Sequence, residues 1–245
     1  MHVFTFVIVG GFVTDGRAYV RALRELGVSA AEVNRLRVRL ATLSGTRRVV
    51  VEVSQGTSPT VSVALRPLAP APTEITVEAL PVKDNRLHPA HYGPDLGWQR
   101  SVLVELPMHE ALLVDASSRV VQCVTSPLLT VADGVITVSA HPDTTPSIAL
   151  DGVLSILGDL GCSIERSPTG FSAHELKRLE TWVIDPVYGA RLVSAWREYG
   201  ALVSGRTSIN RAGVPTHRTV NEIRRARAVQ AQQQEQKKEG LLARW

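Results

Sequence analysis

EALLVDASSRVVQCVTSPLLTVADGVITV, residues 110–138, is the stretch that decides the fold. It reads as a meander of short strands with turns at DASSR (115–119) and ADG (132–134), because β-branched and apolar runs alternate with turn-forming residues. Its neighbours are a different kind of sequence. RLHPAHYGPDLGWQR (86–100) crowds two prolines, two glycines and several rings around Tyr92. DLGWQRSVLVELP (95–107) then has the spacing of a helix of about three turns, stopped by Pro107. On the other side, TPSIALDGVLSILGDLGCSI (145–164) is an amphipathic helix, with Ser147 as its cap and Gly161 as its stop.

The rest of the chain follows the same mixed pattern. HVFTFVIVGGFVTDG (2–16) predicts a strand, a Gly-Gly turn and a second short strand. Residues 17–43 have helical spacing broken at LGVSAAEV, so two helices are expected, the first ended by Gly27 and the second capped by Ser29. RRVVVEVSQG, TVSVALRPL and TEITVEALPV are three β-rich runs, giving an α+β first half that ends near residue 85. SAHELKRLE (172–180) predicts a short surface helix, and TWVIDPVYGARLVSAW (181–196) returns to strand. The tail from about Thr219 is rich in Gln, Lys and Arg. It reads either as a solvated helix or as one that docks on a partner subunit.

Composition narrows the class. With 245 residues, 44% apolar and 20% charged, the chain can bury a substantial core. No apolar run is long enough to span a bilayer and no leader pattern opens the chain. Cys123 and Cys162 stand far apart without metal-site spacing, which favours a reduced, cytoplasmic setting with no bound metal. The net charge is only +4, with much of it in the tail. This is weak support for nucleic acid as a partner, and none for a membrane.

Several of these stretches, in this order, resemble the class IV aminotransferase family, the fold-type IV pyridoxal-phosphate enzymes. That family includes branched-chain and D-amino-acid aminotransferases and aminodeoxychorismate lyases. Residues 110–138 resemble its acidic-Ala-Leu-Leu-x-Asp strand, its polar pair at Thr125-Ser126 and its Asp-Gly turn. TPSIALDGVLSILGDLGCSIE resembles its phosphate-binding turn and following helix, HELKRLETWVIDPVYGARLVSAW its closing helix and strand, and residues 4–23 a shortened opening. The resemblance covers residues 2 to about 197. It implies an α+β fold of two subdomains, D-amino-acid-aminotransferase-like, with a shortened N-terminal subdomain (1–85), a larger one (86–200) and a helical extension (201–245). It also implies a homodimer.

Pyridoxal phosphate asks four things of its protein: a Schiff-base lysine, a carboxylate on the pyridine nitrogen, hydroxyl and N–H groups on the phosphate, and an arginine. The resemblance places other residues at those positions. Tyr92, which cannot form an imine, precedes the Gly93-Pro94-Asp95-Leu96 run. Lys83 lies nine residues upstream, about 30 Å away along an extended chain. A neutral Gln122 aligns with the family's glutamate, and Ser126-Pro127 with its Ser-Asn pair. Ser147-Ile148-Ala149-Leu150 stands at the phosphate turn, and Ala22, beside Arg21, where an arginine is usual. The expectation is therefore that the cofactor has been lost, leaving no cofactor and no metal.

Tyr92 is then the centre of a candidate site, either as a plug or as an acid and oxyanion donor. His91 and Asp185 complete the catalytic candidates. Candidates for binding a small-molecule substrate are His88, Trp98, Gln122, Thr125, Ser126, Ser147 and Tyr188. His88 and His91 read equally as solvent-facing loop residues, Asp185 as a strand-end hydrogen-bonding group, and Cys123 as a small buried residue. The expected function is a cofactor-independent lyase, cyclase, isomerase or hydrolase, in specialised metabolism. The alternatives are a non-catalytic binding homologue, or an active pyridoxal enzyme whose motifs fall in another register.

Overall fold

The computed structural model describes residues 1–106, 108–208 and 211–239. The chain divides into two compact units, one of residues 1–70 with the chain from Asn221 onward, the other of residues 71–220.

In the first unit, β1 (His2–Val9) turns back through Gly10 and Gly11 into β2 (Phe12–Val13). Both glycines have positive φ, 56° and 86°, and Val9 pairs with Phe12 across them. This is the two-residue hairpin whose twist requires left-handed residues at both central positions. α1 (Gly16–Glu25) and α2 (Ala30–Ala41) follow, then β3 (Thr46–Val53) and β4 (Val61–Pro67). Gly27, at φ 85°, ends α1 and the Ser29 hydroxyl accepts the Glu32 N–H to cap α2, as the sequence predicts. The sheet has the order β2-β1-β3-β4, with β3 antiparallel to both of its neighbours. Phe4, Phe6 and Ile8 with Val49, Val51 and Val53 form its buried row, and Tyr19 of α1 packs on Phe6 at 4.5 Å between ring centroids.

The second unit holds β5 (Glu74–Lys83), α3 (Leu96–Val104), β6 (Glu110–Val114), β7 (Val120–Cys123), β8 (Leu128–Ala132), β9 (Val135–Ser139), α4 (Ile148–Asp159), β10 (Ser163–Ser167), α5 (Ala173–Arg178), β11 (Glu180–Asp185), β12 (Gly189–Glu198) and β13 (Ala201–Ser204). The last helix, α6 (His217–Glu239), starts in this unit and continues in the first; residues 240–245, the end of the expected helical extension, lie outside the described residues. The strand order is β10-β9-β8-β11-β12-β5-β6-β7, with β13 on β12. β5 and β6 are parallel and joined through α3, and β9 and β10 are parallel and joined through α4.

β5 is the third of the β-rich runs grouped by sequence with the first half, yet its partners are β12 and β6. The local features follow the sequence more closely. Asp133 and Gly134, at φ 48° and 81°, turn β8 into β9. The Ser147 hydroxyl accepts the Leu150 N–H, and Gly161 ends α4 at φ 77°. Pro107, expected to stop α3, lies outside the described residues. No helix among the described residues is long and apolar enough to cross a membrane.

One face of the second sheet buries Ile75, Val77, Leu112, Val193 and Trp196 with Phe171 and Leu176. On the other, Trp98, Val102, Leu103 and Leu106 pack against Ala111, Leu113 and Val124. The loop before α5 is fastened by two hydrogen bonds between Val120 and Phe171. At Gly170, φ is 67° and a Cβ would stand 2.3 Å from the Val120 carbonyl oxygen. Gly170→Ala is therefore expected to cost about 3 kcal/mol, from the left-handed backbone and the clash together. Chemical denaturation monitored by circular dichroism measures this; an unchanged midpoint would contradict the assigned contact.

Candidate functional site

Residues 84–99 are organised around one buried guanidinium. Arg86 is 9% exposed, and its Nε and Nη2 bind the Asp84 carboxylate at 2.9 and 2.6 Å. Nη1 donates to the Thr145 hydroxyl at 2.5 Å and Nη2 to the Asp143 carbonyl at 2.7 Å, so the loop before α4 is tied to the loop before α3. A buried charge must be paired to be tolerated, and this one is paired on all sides. Asp95, at the start of α3, turns its carboxylate back to accept the Leu87 and His88 N–H groups at 3.0 and 2.9 Å. Gly93, at φ 62°, lets the chain turn between them.

Gln122 joins this group through Thr145, whose N–H it accepts at 2.7 Å on Oε1. Gln122 is fully buried and its Nε2 has no hydrogen-bond partner. Gln99, one helical turn into α3, donates its amide to the Val124 carbonyl. Arg86, His88, His91, Gly93, Pro94, Asp95, Gln99 and Thr145 line a cavity of about 10 Å³, room for one water. His88 and His91 are exposed and meet edge to face at 5.7 Å, and Tyr92 beside them is half-buried.

A second polar group forms around Glu110 at the start of β6. Thr125 gives Glu110 both its hydroxyl and its N–H, the hydroxyl bond being very short, and Ser126 is fully buried beside Thr125. Asp185 at the end of β11 accepts the Val187 and Tyr188 N–H groups at 2.7 and 2.9 Å, and its other oxygen lies 3.9 Å from Arg191. Arg191 in turn stacks on the Tyr188 ring at 5.4 Å and donates to the Pro72 carbonyl. Burial drives the Glu110 carboxyl up to about 7, against the opposing hydrogen bonds of Thr125, and the charge of Asp185 adds to the rise. Burial pulls the Arg191 guanidinium down, with Asp185 and Glu110 opposing. The Cys123 thiol is pushed well up, by burial and then by Glu110, which suits a packed residue rather than a nucleophile.

The sequence candidates thus fall into two groups. Gln122, His88, His91 and Tyr92 belong to the Arg86 end, and Thr125, Ser126, Asp185 and Tyr188 to the Glu110 group. Trp98 is packed with the apolar face of α3, and the Ser147 hydroxyl accepts the capping bond of α4. Lys83 is exposed at the end of β5. In the other unit, Ala22 is buried in α1 and Arg21 is exposed, facing Glu25 at 4.0 Å. Arg86, Thr145, Glu110 and Arg191 are participants that the sequence reading did not select. The signal available was an ionisable residue set against an apolar strand, as in EALLV and GARLV.

No family model matches the chain and no curated protein resembles it in sequence. Solved structures do. The 4-amino-4-deoxychorismate lyase of Pseudomonas aeruginosa superposes with a TM-score of 0.67 at 18% identity, over 86% of this chain and 87% of that one. The branched-chain aminotransferase of Thermoproteus uzoniensis gives 0.68 at 16%, over 96% and 87%. That of Escherichia coli gives 0.63 at 15%, over 90% and 82%. The chain has the fold of the class IV aminotransferases and aminodeoxychorismate lyases, fold-type IV, as its motifs predict.

Glu110 makes stability depend on pH. Its carboxyl releases its proton near 4.5 when unfolded and near 7 when folded, so ionisation favours the unfolded chain as pH rises between those values. The expected contribution is a loss on the order of 3 kcal/mol from pH 4.5 to above 7. His217 runs the other way, since burial lowers its value and it contributes stability as pH rises towards 6.5. The comparison is therefore between the native chain and Glu110→Gln. Denaturant titrations at pH 5 and 8 should show the native chain losing more stability across that interval than the variant; parallel profiles would refute the assignment.

Proposed function

We propose that the chain is a fold-type IV protein that works without pyridoxal phosphate, as a cofactor-independent enzyme of lyase, cyclase, isomerase or hydrolase type on a small molecule. The observation that carries this reading is the side chain of Gln122. Its oxygen is taken by the Thr145 N–H, which fixes the amide orientation and leaves a buried donor, Nε2. A pyridinium N–H is also a donor, and two donors do not bond. The other residues at the expected contacts fit the cofactor no better. Tyr92 offers no amine, and Lys83 is exposed at the end of its strand.

In this reading the unpaired Gln122 donor, buried in the protein without substrate, meets a carbonyl or carboxylate of a substrate that displaces the loop before α4. Tyr92 gives a proton or hydrogen bond to a developing oxyanion, and His91, beside His88, is the base. Asp185, held by two N–H groups and facing Arg191, supplies a fixed negative charge in the Glu110 group. A homodimer in a cytoplasmic biosynthetic setting is part of the same proposal. A second reading, a non-catalytic small-molecule binder with Tyr92 as plug, is favoured by a different observation. Arg86, Asp95 and Glu110 are each satisfied by partners within the protein, and the cavity beside Arg86 and Asp95 has room for one water.

Purified protein mixed with excess pyridoxal phosphate should develop no imine absorption at about 410–430 nm and no borohydride-fixed adduct. An adduct on any lysine would overturn the proposal. Thermal-shift screening with amino and keto acids then supplies a ligand, whose affinity Gln122→Leu should weaken at least about tenfold if its amide meets that ligand. Turnover of the ligand that Tyr92→Phe abolishes identifies an enzyme. Ligand that is bound and returned unchanged identifies the second reading.

A further inference from the structure

The first unit presents a groove that the proposed chemistry does not use. It lies between α2 and β4, has a volume of about 220 Å³, and is lined by Glu32, Arg35, Leu36, Arg39, Val61 and Val63. The four helical residues are spaced as one stripe of α2. The two valines belong to the last strand of the sheet, which pairs with β3 on one side and with no strand among the described residues on the other. The outer row of β4 backbone N–H and C=O groups is therefore a template for another strand.

Three features say what kind of strand. Val61, Val63 and Leu65 pair with Val53, Val51 and Val49, so they continue the apolar row of the sheet. Val49, Val51 and Val53 are buried, whereas Val61 and Val63 are half-buried and Leu65 is 36% exposed. The row thus runs one strand past its cover. Next, the edge is guarded only at its end: residues 61–65 contain no charge or proline, Arg66 and Pro67 close the strand, and the pairing with β3 has no bulge. Finally, Arg35 and Arg39 stand one turn apart, exposed, with no carboxylate in ion-pair range among the described residues. Like charges at that spacing repel one another and gain from an anion. Residues 1–70 as a whole carry nine arginines and no lysine against four acidic residues, a net +5.

We propose that the groove between α2 and the free edge of β4 binds an extended acidic peptide segment of a partner protein, added to the sheet as a further strand. Backbone hydrogen bonds to β4 supply the affinity, and the side chains of alternate residues face α2, apolar ones over Leu36 and acidic ones beside Arg35 and Arg39. Charge opposes the same edge pairing with a second copy, since two-fold pairing would bring the arginine stripes of both α2 helices together.

The test uses the full chain and fluorescein-labelled eight-residue peptides with serine at every second position and valine alternating with glutamate, lysine or serine at the positions between, followed by fluorescence anisotropy. The glutamate peptide should bind saturably, and the lysine and serine peptides at least about tenfold more weakly. Backbone N-methylation, placed on all serines of the glutamate peptide in one version and on all its valines and glutamates in another, should abolish binding in at least one of the two, because alternate N–H groups face β4. Arg35→Glu with Arg39→Glu should weaken the glutamate peptide at least about tenfold and favour the lysine peptide, with an unchanged circular dichroism spectrum. The proposal fails if no peptide saturates, if both N-methylated peptides bind as well as the parent, or if charge makes no difference. It also fails if sedimentation shows a dimer that Leu65→Lys dissociates, which would assign the edge to a second copy.

Discussion

Arg86 is the fixed point of the candidate site. A guanidinium this deeply buried is stable only if its donors are met, and the acceptors that meet it come from three places in the chain: Asp84 beside it, and Asp143 and Thr145 some sixty residues on. That requirement sets the path of the loop from β5 to α3 and the position of the loop that leads into α4. Thr145, pinned by Arg86, offers its own N–H to Gln122 and so decides which end of that amide is left unpaired. The polarity at the heart of the site follows from a charge whose own role is structural.

The Glu110 group follows the opposite logic. Arg86 is matched at close range by a carboxylate, whereas Glu110 leans on hydroxyl and N–H donors and has Arg191 only as a more distant countercharge. Its carboxyl rises towards neutrality because hydrogen bonds from Thr125 do not repay the loss of water. The second unit thus contains two ways of burying an ionisable side chain, pairing it or allowing it to become neutral.

What could be read in the sequence was local. The Gly10-Gly11 and Asp133-Gly134 hairpins and the Ser29 and Ser147 caps each depend on a handful of adjacent residues, and each was legible. The resemblance of residues 110–138 to a fold-type IV strand pattern carried the fold. Pairing partners were not legible, because the residues of β5 read as a strand equally well in either sheet. The ring of Trp98 suggests a binding residue, and its spacing of four from Val102 places it on the apolar face of α3. Arg86 lay inside a stretch singled out for its rings and prolines. Nothing adjacent to it announced that Asp143 and Thr145 would be its partners.

The parallel join of β5 to β12 also fixes an order of events. Arg191 and Pro72, bonded at that seam, are 119 residues apart in the chain. Closing so long a loop is costly in entropy, and such contacts form late and slow the whole reaction. During synthesis β5 emerges with Ile75 and Val77 ready for burial, but β12 is made only after most of the second unit has left the ribosome. Until then a strand destined for the middle of a sheet has one open edge, with β6 the only one of its two partners already made. A stretch exposed to misassembly in the nascent chain is thus one that has a strand on both sides once folding is complete.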